Sequence, residues 1–367
     1  MRVLIAGGGT GGHLFPAIAL AEAFMKKSGE NQVRFITTQR ALDSQLLAER
    51  GFSFMPLKME GLKGKGASGK LRSLYQLPGA FSRSLKIIGE YRPEMVLGVG
   101  GYVSGPVVLA AWRKRVPCAV QEQNSIPGIT NRLLGKVADR VFLAFEESGA
   151  FFPKSKIRIT GNPIRKELKK VAFREVPPAG PLTLLILGGS QGAHRINQWV
   201  RDSLEGLLSL KNELYFIHQT GEKDEAETAR AYQEKGFRHR VTAFISDMVW
   251  AYGQADMIIG RAGAMTITEI TALGKPSLLI PFPFAANNHQ EHNARSLVAA
   301  GAAEMILEED LTPGLLADRL RQWLAHREEL TEMGIKARTM GRWQAAEEIV
   351  DACYQLVSTK KFKGLEN

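Results

Sequence analysis

Two α/β units in tandem, each a parallel sheet covered on both faces by helices, is the fold class that the sequence predicts. Short unbroken apolar runs alternate with stretches of helical periodicity almost throughout. The first run, Val3-Leu4-Ile5-Ala6, breaks directly into Gly7-Gly8-Gly9-Thr10-Gly11-Gly12-His13. The same succession restarts at Leu182-Thr183-Leu184-Leu185-Ile186-Leu187, followed by Gly188-Gly189-Ser190-Gln191-Gly192-Ala193-His194. Strands buried on both faces read as continuous apolar runs, and parallel strands need crossover helices between them.

In the first half the runs predict strands at Arg2–Ala6, Val33–Thr37, Phe54–Leu57, Met95–Val99, Cys118–Gln121, Arg140–Leu143 and Ile157–Ile159. Between them lies helical spacing such as Ala17-Ile18-Leu20-Ala21-Phe24. Turn-forming residues at Thr160-Gly161-Asn162-Pro163 and Val176-Pro177-Pro178 mark a joint near Asn162. Later strands are expected at Leu214–His218, Val241–Phe244, Met257–Gly260, Ser277–Pro281 and Glu304–Leu307. The boundaries read as two Rossmann-like domains, 1–162 and 163–340, and a C-terminal helix, 341–367, that packs back on the first.

The 367 residues are enough for two cores, and the apolar and charged fractions are those of a soluble globular protein. No signal peptide and no run of about 18 apolar residues is present, so a membrane span is not expected. Cys118 and Cys353 lack metal-type spacing and fit a reducing cytosol. The formal net charge of +11 fits nucleic acid, an anionic membrane surface or solubility alone, and no nucleic-acid signature accompanies it.

The glycine segments carry the chemistry. A glycine turn that opens a helix after a parallel strand presents backbone N–H groups and the helix dipole to an anion. Gly7, Gly9 and Gly12 satisfy G-x-G-x-x-G, yet the acidic residue expected at the end of the second strand is replaced by Thr37-Thr38-Gln39-Arg40. A second cluster, Gly98-Val99-Gly100-Gly101-Tyr102-Val103-Ser104-Gly105-Pro106, repeats the device, with Pro106 suited to a first helical turn. Two such loops in one domain suggest a site of pyrophosphate size. In the second domain, Gly260-Arg261-Ala262-Gly263-Ala264-Met265-Thr266-Ile267-Thr268-Glu269 is again strand into helix. Thr266-x-x-Glu269 reads either as a capping box or as part of a pyrophosphate and ribose site. His289 and His292 are too isolated to argue for a metal, and no Asp-x-Asp motif is present.

Taken in order, GGGTGGH, GVGGYVSGP, QEQNSIPG, GNPIR, GGSQGAHRIN, FISDM, RAGAMTITE and NNHQEHNA resemble the bacterial UDP-N-acetylglucosamine:undecaprenyl-pyrophosphoryl-muramoyl-pentapeptide N-acetylglucosaminyltransferase family, from residue 1 to about 355. One departure is Gln121, where that family commonly has histidine. The resemblance implies the glycosyltransferase B fold, two Rossmann-like domains facing across a cleft. It implies UDP-N-acetylglucosamine (UDP-GlcNAc) as donor substrate, no bound cofactor and no metal. The implied acceptor is undecaprenyl-linked lipid I and the product lipid II. A peripheral place on the cytoplasmic side of the cell membrane follows, with an anionic membrane surface and a cell-wall synthesis complex as partners and no nucleic acid.

Carried over by position, the resemblance assigns donor binding to Thr10, Gly11, Gly12, Asn124, Arg165, Ser190, Ile245, Ala264, Met265, Thr266, Ile267, Thr268, Glu269 and Gln290. Within that set, Ile245 and Arg165 belong to the uracil end, Ser190 and the Ala264–Thr266 amides to the pyrophosphate, Glu269 to the ribose, and Gln290 with Asn124 to the sugar. Gly8, Gly9, Gly101, Tyr102, Ser104 and Gly105 are the implied cradle of the acceptor's pyrophosphate. An inverting displacement needs a base at the acceptor 4-hydroxyl and stabilisation of the departing diphosphate. His13, whose ordinary pKa suits proton transfer near neutrality, is the candidate base, or else positions the acceptor; Glu122 is the rival.

Lys63, Lys65, Lys70 and Arg72 precede Leu74, Tyr75, Leu77, Phe81 and Leu85 at near-helical spacing, with Pro78-Gly79 expected to interrupt them. That segment is the expected membrane contact, against the alternative of an ordinary core-facing helix. Competing functions are another glycosyltransferase of the superfamily, an NADP-dependent oxidoreductase using Gly7–Gly12 and Arg40, and a non-catalytic nucleotide-sugar sensor or nucleic-acid binder.

Overall fold

The structure is a computed structural model that describes residues 1–9, 11–59, 67–189 and 191–365. The chain divides into two compact units, Met1–Arg165 with Trp343–Asn367, and Lys166–Arg342.

The first unit runs β1 (Arg2–Ala6), α1 (Gly11–Lys27), β2 (Gln32–Thr37), α2 (Ala41–Glu49), β3 (Ser53–Pro56), α3 (Ala67–Tyr91), β4 (Met95–Gly98), α4 (Ser104–Arg113), β5 (Cys118–Glu122), α5 (Ile129–Val137), β6 (Arg140–Leu143) and β7 (Ile157–Ile159). Its seven strands are all parallel, in the order β3-β2-β1-β4-β5-β6-β7. The second unit runs β8 (Leu182–Leu187), α6 (His194–Ser203), β9 (Leu214–Gln219), α7 (Glu225–Glu234), β10 (Arg238–Thr242), α8 (Met248–Gln254), β11 (Met257–Gly260), α9 (Ala264–Leu273), β12 (Ser277–Leu279), α10 (His289–Ala299), β13 (Glu304–Met305), α11 (Pro313–Ala325) and α12 (Arg327–Thr339). Its six strands are also all parallel, ordered β10-β9-β8-β11-β12-β13.

Strand β1 shows why the apolar runs form these sheets. Its side chains alternate between faces, and both faces are covered. Val3 and Ile5 join a core with α1 residues such as Leu14 and Phe24, whereas Leu4 and Ala6 join a second core with Val107 and Val108 of α4. Helix α13 (Ala345–Leu365) completes the first of these cores through Ile349, Val350 and Cys353. Its Tyr354 hydroxyl donates to Asn31 Oδ1 at 2.8 Å, and Lys360 Nζ pairs with Asp139 at 2.7 Å.

Two expectations need correction. Strand β10 covers Arg238–Thr242 rather than Val241–Phe244. It is an edge strand with no fully buried residue, and the apolar run beyond it is loop, with Phe244 54 % exposed. Pro78 and Gly79 do not interrupt a helix, because α3 continues through both. The ladder bond that Pro78 removes lies beside Leu77, Pro78 and Gly79, which are exposed.

Candidate functional site

In a doubly wound sheet, ligands bind beyond the carboxyl ends of the strands where the strand order reverses. In the first unit that point lies between β1 and β4. The glycine segments Gly7–His13 and Gly98–Gly105 follow these two strands and meet there.

Packing explains several of the glycines. A Cβ on Gly7 would lie 2.2 Å from Val99 Cγ2, and one on Gly8 would lie 2.3 Å from Thr37 Oγ1. Gly101, at φ +78°, would press a Cβ to 2.9 Å from the Gly8 carbonyl oxygen. The two loops are therefore mutually fitted. Not every amide in them is free for an anion: Gly7 N–H donates to Ile36 O at 3.0 Å, and Gly9 N–H donates to Asp43 Oδ2 at 2.8 Å. The same carboxylate oxygen accepts the hydroxyls of Thr37 and Thr38, at 3.0 and 2.7 Å. Asp43, on the first turn of α2, thus anchors the loop that the sequence reading left without an acid. Arg40 donates to the Gly9 carbonyl. Ser104 is fully buried, and its hydroxyl is spent on the carbonyls of Ala6 and Gly100.

His13 is half-buried on the first turn of α1, against the second loop. A Cβ on Gly100 would fall 2.7 Å from both Cε1 and Nδ1 of its ring, so this glycine makes the seat of the imidazole. Nδ1 lies 3.1 Å from Gln123 Oε1. Burial pushes its pKa below the ordinary 6.5, against the opposing pull of Gln123, the Val99 carbonyl and the Asp43 charge. Pro16, inside α1, has no N–H for the Gly12 carbonyl and leaves that acceptor out of the helix ladder.

Glu122 is placed differently from the role of rival base. It is 1 % exposed, and its carboxylate accepts four bonds: the backbone and side-chain N–H of Asn124, the backbone N–H of Gly128 and the Asn131 side chain. Burial raises its pKa while these donors oppose the rise. Its lone pairs shape the Gln123–Gly128 turn. Asn124 is held by that carboxylate, and the Arg165 guanidinium lies 4.9 Å over the Phe15 ring of α1.

In the second unit the order reverses between β8 and β11. After β8 the turn is tightly fitted, since a Cβ on Gly192 would strike the Thr220 carbonyl oxygen at 1.8 Å. Helix α9 starts at Ala264 with Gly263 as N-cap and no side-chain cap. The capping-box alternative therefore fails, because Thr266 lies inside the helix rather than at its N-cap. The amides of Ala264, Met265 and Thr266 are the helix's first donors, without partners in its own ladder. Ile267 is buried, and Thr268 Oγ1 donates to the Ala264 carbonyl at 2.8 Å. Glu269, 5 % exposed, accepts the Tyr252 hydroxyl at 2.8 Å. Arg261 donates to the carbonyls of Ile280 and Pro281 and pairs with Glu308, bracing the segment after β12. Phe282 N–H in that segment donates to Gln290 Oε1 at 3.0 Å. Ile245 is buried in the turn before α8. Thr10 and Ser190 lie outside the described residues, as do Lys63 and Lys65. Among the described residues no three His, Cys, Asp or Glu side chains converge on a metal-holding position.

The described helices include none long and apolar enough to cross a membrane. Helix α4, packed between α3 and α5, exposes Leu109 and Trp112, and α5 exposes Ile129 and Leu133 at one-turn spacing. Arg113, Lys114 and Lys136 stand exposed on these same elements. In α3, by contrast, Phe81 and Leu85 are partly buried against the core, and Leu77 is exposed.

The glycosyltransferase family 28 N-terminal domain matches residues 3–143, and the family's C-terminal domain matches residues 183–349. The chain belongs to glycosyltransferase family 28. It is 47 % identical over 357 residues to a Myxococcus xanthus protein, covering 97 % of this chain and 93 % of that one. That relative is the UDP-N-acetylglucosamine–N-acetylmuramyl-(pentapeptide) pyrophosphoryl-undecaprenol N-acetylglucosamine transferase. A protein of the same name from Syntrophus aciditrophicus is 47 % identical, with 97 % and 99 % covered. Among solved structures, Acinetobacter baumannii MurG is similar at a TM-score of 0.77 and 31 % identity, with 96 % of this chain and 99 % of that chain covered. The two parallel sheets are thus those of a family 28 glycosyltransferase, an enzyme that uses a nucleotide-sugar donor.

Two residues that matter to the site escaped the sequence reading, Asp43 and Gln123. The signal for Asp43 was an acid in the first turn of the helix after β2, six residues beyond Thr37. No sequence signal marked Gln123 beyond its place in the QEQN motif.

Proposed function

We propose that this chain transfers N-acetylglucosamine from UDP-GlcNAc to the 4-hydroxyl of the N-acetylmuramoyl sugar of pyrophosphoryl-undecaprenol-linked lipid I, giving lipid II and UDP. The observation that carries this reading is the 47 % identity, over 97 % of the chain, to relatives named for this transfer. The acceptor belongs to the first unit and the donor to the second.

The chemistry is a single displacement with inversion. The 4-hydroxyl oxygen forms a bond to the anomeric carbon as the bond to UDP breaks, and His13 takes the hydroxyl proton. The uncapped N-terminus of α9 supplies fixed donors to the charge that grows on the departing diphosphate. Glu269 accepts from the ribose, and the Gln290 amide, its oxygen bound to Phe282 N–H, offers its NH2 to the sugar. Ile245 meets the uracil through its backbone. Gly101 and the start of α4 receive the acceptor's pyrophosphate.

The acceptor's lipid places the chain at an anionic membrane surface on the cytoplasmic side. Support comes from Leu109, Trp112, Ile129 and Leu133, an exposed apolar set beside basic residues, each charge contributing about 1 kcal/mol near such a surface. These residues add α4 and α5 to the expected contact at the Leu74–Leu85 stretch, of which the Leu74 and Tyr75 side chains lie outside the described residues. Flotation with phosphatidylglycerol vesicles compares the parent with a Trp112→Ser, Leu133→Ser double variant. Loss of binding in the variant is expected, and equal binding refutes the patch. For the donor site, calorimetric titration with UDP-GlcNAc should show weakened binding in Glu269→Ala and parent-like binding in His13→Ala. The reverse pattern overturns the division of roles between the units.

A further inference from the structure

We propose that Gln123 is a positioning residue that fixes His13 in the Nδ1–H tautomer, and that Gln121 and Asn162 fix the direction of Gln123. The inference rests on the reading of His13 as the base. It follows from a chain of amides whose ends are anchored by backbone carbonyls, groups that can only accept.

The Gln123 backbone carbonyl takes a bond from Asn162 Nδ2 at 3.1 Å. Asn162 therefore turns its Oδ1 toward Gln121, whose Nε2 donates to it at 2.7 Å. Gln121 in turn presents Oε1 to Gln123, whose Nε2 donates to it and, at 2.7 Å, to the Val99 carbonyl. Both amide hydrogens of Gln123 are then spent. Its Oε1 faces His13 Nδ1 at 3.1 Å and has only lone pairs to offer. The neutral imidazole must carry its proton on Nδ1, which leaves the lone pair on Nε2 as the basic position. Neutral histidine in water favours the opposite tautomer, so the network performs a selection.

Gln121, Gln123 and Asn162 are each no more than 2 % exposed, and the chain runs without a titrating member until it reaches the ring. A buried network of this kind holds one geometry because each alternative orientation leaves a donor facing a donor or an acceptor facing an acceptor. A carboxylate in place of Gln123 would also orient the ring but would raise its basicity. The uncharged amide orients the ring and opposes the lowering of its pKa by burial without reversing it. Gly100 completes the arrangement by admitting the ring beside the network.

The test is nitrogen NMR of the full chain carrying 15N-labelled histidine, recorded near pH 8. His13 is assigned, among the seven histidines, by its loss in His13→Gln. The expected parent spectrum shows a pyrrole-type Nδ1 and a pyridine-type Nε2 for His13. In Gln123→Met the ring should shift toward the Nε2–H form, and kcat should fall about tenfold or more with both KM values within about twofold of the parent. An Nε2–H signature in the parent overturns the proposal, as does a Gln123→Met variant that keeps the Nδ1–H form. If that variant does not fold, the parent spectrum decides alone. Full turnover in His13→Gln would remove His13 as base yet leave the tautomer result standing, so the two readings fail separately.

Discussion

Replacing Gly100 with alanine should disable the first unit's chemistry without removing a polar atom. The new Cβ would sit 2.7 Å from both Cε1 and Nδ1 of His13, where ordinary contact begins at 3.4 Å. The ring would have to withdraw by about 0.7 Å, and a misplacement approaching 1 Å at a reacting group can cost on the order of 100-fold in rate. Withdrawal would also lengthen and weaken the 3.1 Å His13–Gln123 contact. Alanine at φ +94° adds backbone strain of about 1–3 kcal/mol, so the melting temperature should drop by a few degrees while the fold survives. The assay is transfer of radiolabelled N-acetylglucosamine from its UDP donor to a short-chain lipid I analogue, with UDP affinity measured in parallel. A kcat about 100-fold down with unchanged UDP affinity is expected. A folded Gly100→Ala protein with parental kcat would refute the claim that this glycine seats a working histidine.

Two further outcomes follow from histidines that the fold withdraws from water, His13 in part and His218 fully. Because burial holds the His13 pKa below 6.5 and a base must be neutral, kcat/KM should be near its plateau at pH 7 and fall on an acid limb whose midpoint lies below 6.5; a midpoint above that value contradicts the assignment. His218, fully buried in the second unit between Asn197 and Tyr232, is pushed down to about 3 by burial, with Arg201 adding to the shift. Its unfolded form gains a proton as pH falls below 6.5 while the folded form resists, so stability is present above 6.5 and is lost progressively toward pH 3. The loss from this group between pH 7.5 and 5 works out at about 2 kcal/mol, and His218→Gln should remove that part of the pH dependence in urea unfolding. An unchanged pH dependence in the variant contradicts the burial argument.

The sheets were legible because parallel strands buried on both faces leave an unmistakable run of apolar residues, as Val3–Ala6 and Leu182–Leu187 show. Edge strand β10 was misplaced because one of its faces meets water and its pattern is polar. The glycine turns marked the right strand ends, but sequence could not apportion each glycine between packing and ligand. Gly7 and Gly8 answer to Val99 and Thr37, while Gly100 answers to a histidine 87 positions away in the chain. The same holds for side chains joined only in space. The Ser104 hydroxyl turns inward to two carbonyls, and the carboxylate of Glu122, the rival to His13, accepts four bonds from its own turn. Asp43 and Gln123 act through partners that no local spacing announces.

The central claim is that this family 28 chain moves a sugar from UDP to a prenyl-diphosphate-linked acceptor. Incubating it with radiolabelled UDP-GlcNAc and a short-chain lipid I analogue tests that directly. One labelled sugar should appear on the lipid for each UDP released, in the β configuration. Release of free N-acetylglucosamine, or UDP formation with an unlabelled lipid, would contradict it.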